Sequence, residues 1–273
     1  MTVYLNPLYP GEVDFEEILR LPSILEGLKG RSSRQPGRVS SWDWTPDWHD
    51  GPGLVVRQYV HGGSLGGIAG SLFLGTGRMR RELAVSAYAY GHQVPTSAPV
   101  AVRTEKACGP LVTAYFVSQR IPRAQDLLAF LTERGAEQAL CVDRNMRLAA
   151  AIAAAVAAMH DAGIVHADLN LKNLLVRNAF DEPEVFIIDF DRAALAGRLS
   201  LRQRMANLVR LDRSVMKWEA SRRAVSLKDR LRVVRCYLQS YPAWRAQWGQ
   251  IARDYGSRHL RHFLSRERSE SKH

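Results

Sequence analysis

Residues 166–173 read HADLNLKN, and sixteen positions beyond Asn173 the chain reaches Asp189, at the end of the apolar run VFII (185–188). The octet is polar, but both of its flanks are not. Before it lies an alanine-rich stretch, 143–160, that favours helix; Asp143 is suited to cap its start and Gly163 to end it. After it come Leu174 to Val176 and then VFII, short β-branched or apolar runs that predict strands. A loop between a buried helix and two strands thus carries one carboxylate, Asp168, and an amide, Asn173, while the second strand ends on another carboxylate. An ordinary polar turn, with Asp189 merely capping a helix, requires neither that spacing nor that delivery.

The pattern H-x-D-x-x-x-x-N, then a strand, then an acidic residue is that of kinases. Phosphoryl transfer asks little covalent chemistry of a protein. It needs a carboxylate to orient the attacking hydroxyl and take its proton, and hard oxygen ligands to fix magnesium against the phosphates. Asp168 is expected to be the base, with Asn173 and Asp189 as metal ligands and His166 as a brace for the loop. The expected cofactors are ATP and Mg2+. The fold that this resemblance to kinases implies is α+β and bilobal, protein-kinase-like, with a β-rich N-lobe over 1–118, a mainly helical C-lobe over 119–264 and a tail at 265–273.

Toward the N-terminus, Leu54 to Val60 reads as a strand, Arg78 to Tyr90 as a helix, and 100–102 and 111–118 as further strands. The break at Gln119 to Pro122 marks the crossing between lobes, beside the expected adenine position. Arg57 occupies the place of the phosphate-binding lysine of kinases, a role its bidentate guanidinium can fill, and Glu82 is its expected helix partner. No GxGxxG occurs. Gly27, Gly30 and Gly37 offer only a flexible basic hairpin, in which Gly30 is the candidate for covering the nucleotide.

Beyond the octet, VFIIDFDRA (185–193) and NLVRLDRSVMK (207–217) extend the likeness to one branch. Together with VVRQYVHGG (55–63), they resemble the bacterial lipopolysaccharide-core kinases that phosphorylate 3-deoxy-D-manno-octulosonic acid (Kdo) or heptose, and Kdo kinases above all. The resemblance runs from about Leu54 to Lys217. It implies a HxDLNxxN loop, an IDFDR segment in place of Asp-Phe-Gly, and a helix carrying Asn207, Leu208, Arg210, Leu211, Arg213 and Ser214. It also implies ATP-dependent phosphorylation of lipid A-linked Kdo in the inner core, at the cytoplasmic face of the inner membrane. Asp191, where Asp-Phe-Gly has glycine, could contact metal, pair with Arg192 or hold the Asn207 helix; structural pairing is the expectation. Asn170 and Lys172 are expected to support the loop or substrate. Arg210, Arg213 and Lys217 recur at helical spacing and could meet anionic substrate groups or simply form a solvated basic face.

Composition agrees with such a partner. The 273 residues carry a formal charge of +11 and are 46% hydrophobic, enough for a real core. Twelve Lys or Arg between Arg198 and Arg235 face only Asp212, Glu219 and Asp229. Anionic lipid, nucleic acid or a phosphorylated substrate would each suit that charge, but few aromatics accompany the arginines, so no nucleic-acid partner is expected. Cys108, Cys141 and Cys236 form neither a disulfide framework nor a zinc pattern. No signal peptide or membrane span is read, and a peripheral protein meeting the anionic surface of the inner membrane is expected. A protein Ser/Thr kinase or small-molecule phosphotransferase would use the same residues, although no Ala-Pro-Glu segment is found. A catalytically idle kinase-like binding module is the remaining alternative.

Overall fold

The computed structural model describes residues 1–28, 41–61, 70–133, 142–247, 249–251, 253 and 257. Gly30, Gly37, the turn at Gly62 and Gly63, the Asp143 side chain and the 265–273 tail therefore lie outside the described residues. The chain divides into two compact units. One comprises Met1–Arg123 together with Ile188–Leu195; the other comprises Ala124–Ile187 and the chain from Ala196 onward.

The first unit is built on an antiparallel sheet: β1 (Thr2–Leu5), β2 (Ser41–Trp44), β3 (Leu54–Gln58), β4 (Phe73–Leu74), β5 (Pro99–Cys108) and β6 (Leu111–Gln119), in the order β1-β5-β6-β3-β2, with β4 on the start of β6. Alternation decides which side chains face which way. Leu54, Val56 and Val117 pack with Ile18, Leu21 and Leu25 of two short helices, α1 (Phe15–Leu19) and α2 (Leu21–Gly27). Tyr59, Ala114 and Phe116 pack with Met79 and Leu83 of α3 (Gly77–Gly91). Several elements differ from the sequence expectation, β5 and β1 among them. Strand β5 runs well past residue 102, because its second half is held by register with β6 while Glu105 and Lys106 stay exposed, so no apolar pattern marks it. Strand β1, at the end of the sheet order among the described residues, pairs with β5, and four residues are too short a run to announce a strand by alternation.

The second unit places helices around a three-stranded antiparallel sheet of β7 (Gln125–Asp126), β9 (Leu174–Arg177) and β10 (Glu184–Ile187); between β7 and β9 in sequence lies the short β8 (Ile164–Val165). Its helices are α4 (Leu127–Glu133), α5 (Val142–Asp161), α6 (Leu201–Lys217), α7 (Glu219–Ala224), α8 (Leu227–Gln239) and α9 (Pro242–Arg245). Helix α4 begins at Leu127, since Asp126 first completes β7 and then caps α4 by accepting from the Ala129 N–H at 2.9 Å. Helix α5 buries Leu148, Ile152, Val156 and Met159. It ends at Gly163, whose φ of +76° puts its N–H within 3.0 Å of the His160 carbonyl. Helix α6 opens on a capping box between Ser200 and Gln203.

Candidate active site

In the first unit, Arg57 and Tyr59 stand two residues apart on β3 and its continuation, so both side chains leave the same face, toward α3. There Glu82 is almost wholly buried, at 2% exposure. Burying a lone carboxylate is costly, and each of its oxygens is provided for. Arg57 Nη2 donates to Oε1 and forms an ion pair, and the Tyr59 hydroxyl donates to Oε2 at 2.5 Å. Burial pushes the Glu82 carboxyl up to about 7, against the pull of Arg57, and Asp189 adds to the push. Burial works against the charge on Arg57, but Glu82 and Asp189 outweigh it and hold the guanidinium well above its usual value. The same guanidinium lies over the rings of Tyr59 and Phe116, at 4.9 and 5.6 Å from their centroids.

Arg57 also faces Asp189, with 3.5 Å between Nη2 and Oδ1. That oxygen is buried and has no hydrogen-bond partner among the described residues, while the side chain as a whole is 32% exposed, so the exposure lies on its other atoms. The structure thus brings Arg57, Glu82 and Asp189 together. Asp191 pairs with Arg78 on α3 rather than with its neighbour Arg192 among the described residues of this unit: Nε donates to Oδ1 at 2.8 Å and Nη2 to Oδ2.

In the second unit the octet forms a loop that closes in a single 3-10 turn, Leu171–Asn173. Side chains pin its backbone. The Asp168 N–H donates to His166 Nδ1 at 3.1 Å, and the Asp168 carbonyl accepts from Asn170 Nδ2 at 3.0 Å and Asn173 Nδ2 at 2.8 Å. Asn170 Oδ1 caps the turn by accepting from the Lys172 N–H at 2.8 Å. With its peptide held from both sides, Asp168 keeps an exposed side chain, and among the described residues of this unit nothing bonds its carboxylate. Such a group can accept a proton. His166 is fully buried, and its Nδ1 acts as acceptor, so its role here is to orient.

A buried polar chain supports this loop, and sequence reasoning missed most of it. Asn207 of α6 treats the His166 peptide as a strand neighbour would: Oδ1 accepts from its N–H at 3.1 Å and Nδ2 donates to its carbonyl at 3.0 Å. Because Asn207 Oδ1 can only accept, His160 Nε2, 3.1 Å away, carries the hydrogen, and its Nδ1 accepts from the Tyr237 hydroxyl at 2.8 Å. Arg204 Nη1 then donates to Tyr237 at 3.2 Å, to Tyr241 at 2.7 Å and to Asp161 at 2.8 Å. Burial drives the His160 ring down to about 4, so it is neutral at ordinary pH, as this bonding requires. A histidine ending an otherwise apolar helix was the one available signal.

Three further candidates lie on α6. Arg210 reaches the His166 carbonyl at 3.3 Å, whereas Arg213 and Lys217 lie on the exposed side of α6. Lys172 and Lys217 both place their ammonium groups over the Trp218 ring, at 4.6 and 5.3 Å.

Each unit taken by itself offers an oxygen of the kind magnesium prefers. In the second unit Asn173 commits its nitrogen to the loop and not its oxygen, and in the first unit Asp189 Oδ1 has no hydrogen bond among the described residues. Magnesium in phosphate chemistry takes only one or two protein oxygens and fills its octahedron with phosphates and water. Among the described residues no cluster of three or more His, Cys, Asp or Glu builds a closed cage, and none is needed for that arrangement.

Comparison with known proteins bears on the same residues. A sequence model described as the lipopolysaccharide kinase (Kdo/WaaP) family matches residues 44–237, a span that includes Arg57, Glu82, the octet and Asp189. The 3-deoxy-D-manno-octulosonic acid kinase of Vibrio parahaemolyticus serotype O3:K6 (strain RIMD 2210633) is 31% identical over 180 residues, 64% of this chain and 69% of that protein. The enzyme of the same name from Mannheimia succiniciproducens is 29% identical over 201 residues, 71% of this chain and 78% of that one. The solved structure of WaaP in complex with acyl carrier protein superposes with a TM-score of 0.56 at 19% identity, covering 94% of this chain and 99% of WaaP. At that identity the likeness speaks to fold, which is the α+β protein-kinase-like one. The chain belongs to the lipopolysaccharide kinase (Kdo/WaaP) family.

Proposed function

We propose that this phosphotransferase moves the γ-phosphoryl group of ATP to a hydroxyl of Kdo on Kdo-bearing lipid A. The observation that carries the reading is the match of the Kdo/WaaP family model across a stretch that contains Asp168, Asn173 and Asp189. The acceptor is taken from the names of the relatives, since the metal and phosphate residues are indifferent to which alcohol attacks.

Bound magnesium and ATP supply an electrophilic phosphoryl group with its charge partly neutralised. Asp168, its backbone fixed and its carboxylate exposed, orients the acceptor hydroxyl and takes its proton. Asn173 and Asp189 offer oxygens to the cation. Arg57, held by Glu82, directs its guanidinium at the phosphates, and Tyr59 keeps Glu82 in place. Arg213 and Lys217 meet the acidic groups of the glycolipid. In the cell we place the enzyme peripherally on the cytoplasmic face of the inner membrane; no helix among the described residues is long and apolar enough to cross a bilayer.

The test is incubation of the purified chain with ATP, magnesium and Kdo-bearing lipid A, followed by mass measurement of the glycolipid. The expected outcome is a gain of one phosphate that falls by about 10²- to 10⁴-fold in rate with Asp168→Asn. ATP consumption that depends on Asp168 but leaves the glycolipid unmodified would reject Kdo as acceptor and keep the phosphotransferase. No ATP turnover by a folded protein would reject both.

A further inference from the structure

The segment that delivers Asp189 is conformationally expensive. Asp189 and Arg192 both have φ in the left-handed region, 65° and 64°, although neither is glycine. The Ala193 N–H bonds the Phe190 carbonyl at 2.9 Å, closing a four-residue turn. With positive φ at its third residue and not at its second, the turn is of type II, whose third position favours glycine. Here that position is Arg192, and Asp191 sits at the apex. A strained turn persists only when its surroundings over-determine it.

Helix α3 supplies the constraint. Arg78 and Glu82 are four residues apart and share a helix face. Glu82 holds Arg57, which faces Asp189; Arg78 grips both oxygens of Asp191. The guanidinium of Arg78 is itself seated over Phe73, 4.9 Å from the ring centroid. Asp191 with both oxygens committed to a cation in a forked geometry has little to offer a metal ion, which Arg78 would also repel. We propose that Arg78 is a positioning residue for phosphoryl transfer: its two-point grip on Asp191 orders the turn at 190–193 and thereby sets Asp189. The inference rests on the reading of Asp189 as a metal ligand, and it deepens that reading by assigning Asp191 to the protein side of the site.

Hydrogen exchange of the 188–195 amides in the free enzyme tests the grip without nucleotide or acceptor, so its outcome does not depend on Kdo being the substrate. Arg78→Ala and Asp191→Ala are each expected to speed that exchange about tenfold, the loss of one charge-assisted pair, while the remaining amides keep their protection. Each is also expected to raise, by about the same factor, the magnesium concentration that half-saturates binding of a fluorescent ATP analogue. Arg78→Lys, which keeps the charge but not the fork, should fall between wild type and Arg78→Ala. The exchanged pair Arg78→Asp with Asp191→Arg should regain most of the protection and of the magnesium response. Unchanged exchange in Arg78→Ala overturns the proposal. So does loss of the magnesium response in Asp191→Ala alone, which would make Asp191 a ligand.

Discussion

At the scale of single residues, Arg192 and Tyr59 separate strain from support. Left-handed φ costs a non-glycine residue about 1–2 kcal/mol, and glycine relieves it but gives back about 0.5–1 kcal/mol as unfolded-chain entropy. Arg192→Gly is therefore expected to leave stability within about 1 kcal/mol of wild type in urea unfolding, whereas Arg192→Val, β-branched in the same region, should cost at least about 1 kcal/mol. Tyr59→Phe removes the one hydrogen-bond donor to Glu82 Oε2 among the described residues while leaving the carboxylate buried, so a loss of about 1–3 kcal/mol is expected in the same measurement. Both partners of Glu82 could have been read together from the sequence. Arg57 and Tyr59 obey the two-residue period of a strand, and Arg78 and Glu82 the four-residue period of a helix. What the sequence could not supply was the meeting of Arg78 with Asp191 across 113 positions, because no local pattern encodes which charged pair closes a long loop.

At the scale of elements, the octet was legible because its polar spacing interrupts apolar runs, while its scaffold was not, because Asn207, His160 and Tyr237 converge from three helices. That scaffold has a pH signature. His160 is held neutral with its ring at about 4, below the 6.5 of an exposed histidine, by burial first and by the charge of Arg204 in addition, against the bond to Asn207. A depressed folded value means that the stabilisation is present above 6.5 and is lost as pH falls toward 4. Thermal unfolding is thus expected to lose about 3 kcal/mol over that window, and a His160→Gln variant to lose measurably less of its own stability across it. The end of α5 offers an independent check. A Cβ on Gly163 would come within 2.6 Å of the Gly197 carbonyl oxygen, and the φ of +76° is itself unfavourable for alanine. Gly163→Ala should therefore destabilise by more than the ~1 kcal/mol of the backbone term alone, with the excess coming from displaced main chain that cannot rotate away as a side chain would.

For the whole molecule, the charge of +11 has to act somewhere, and part of it is tied up inside the fold. Arg57, Arg78 and Arg204 are tied to carboxylates, and Arg210 reaches a loop carbonyl. Arg213 and Lys217 have exposed side chains on α6, that of Lys217 with its ammonium over the Trp218 ring. If they serve only solubility, neutralising them changes nothing that depends on substrate. On the proposed reading they meet an acidic glycolipid, and exposed charges acting across water are screened within roughly 8 Å at physiological salt. The double variant Arg213→Gln, Lys217→Gln is then expected to raise KM for Kdo-bearing lipid A about three- to tenfold at low salt, with kcat and the KM for ATP little changed. Raising the salt concentration should weaken the wild type toward the variant, so that the two converge. A variant whose KM for the glycolipid matches wild type at every salt concentration would return this face of α6 to a solvated surface, and the net charge would then need its partner elsewhere on the molecule.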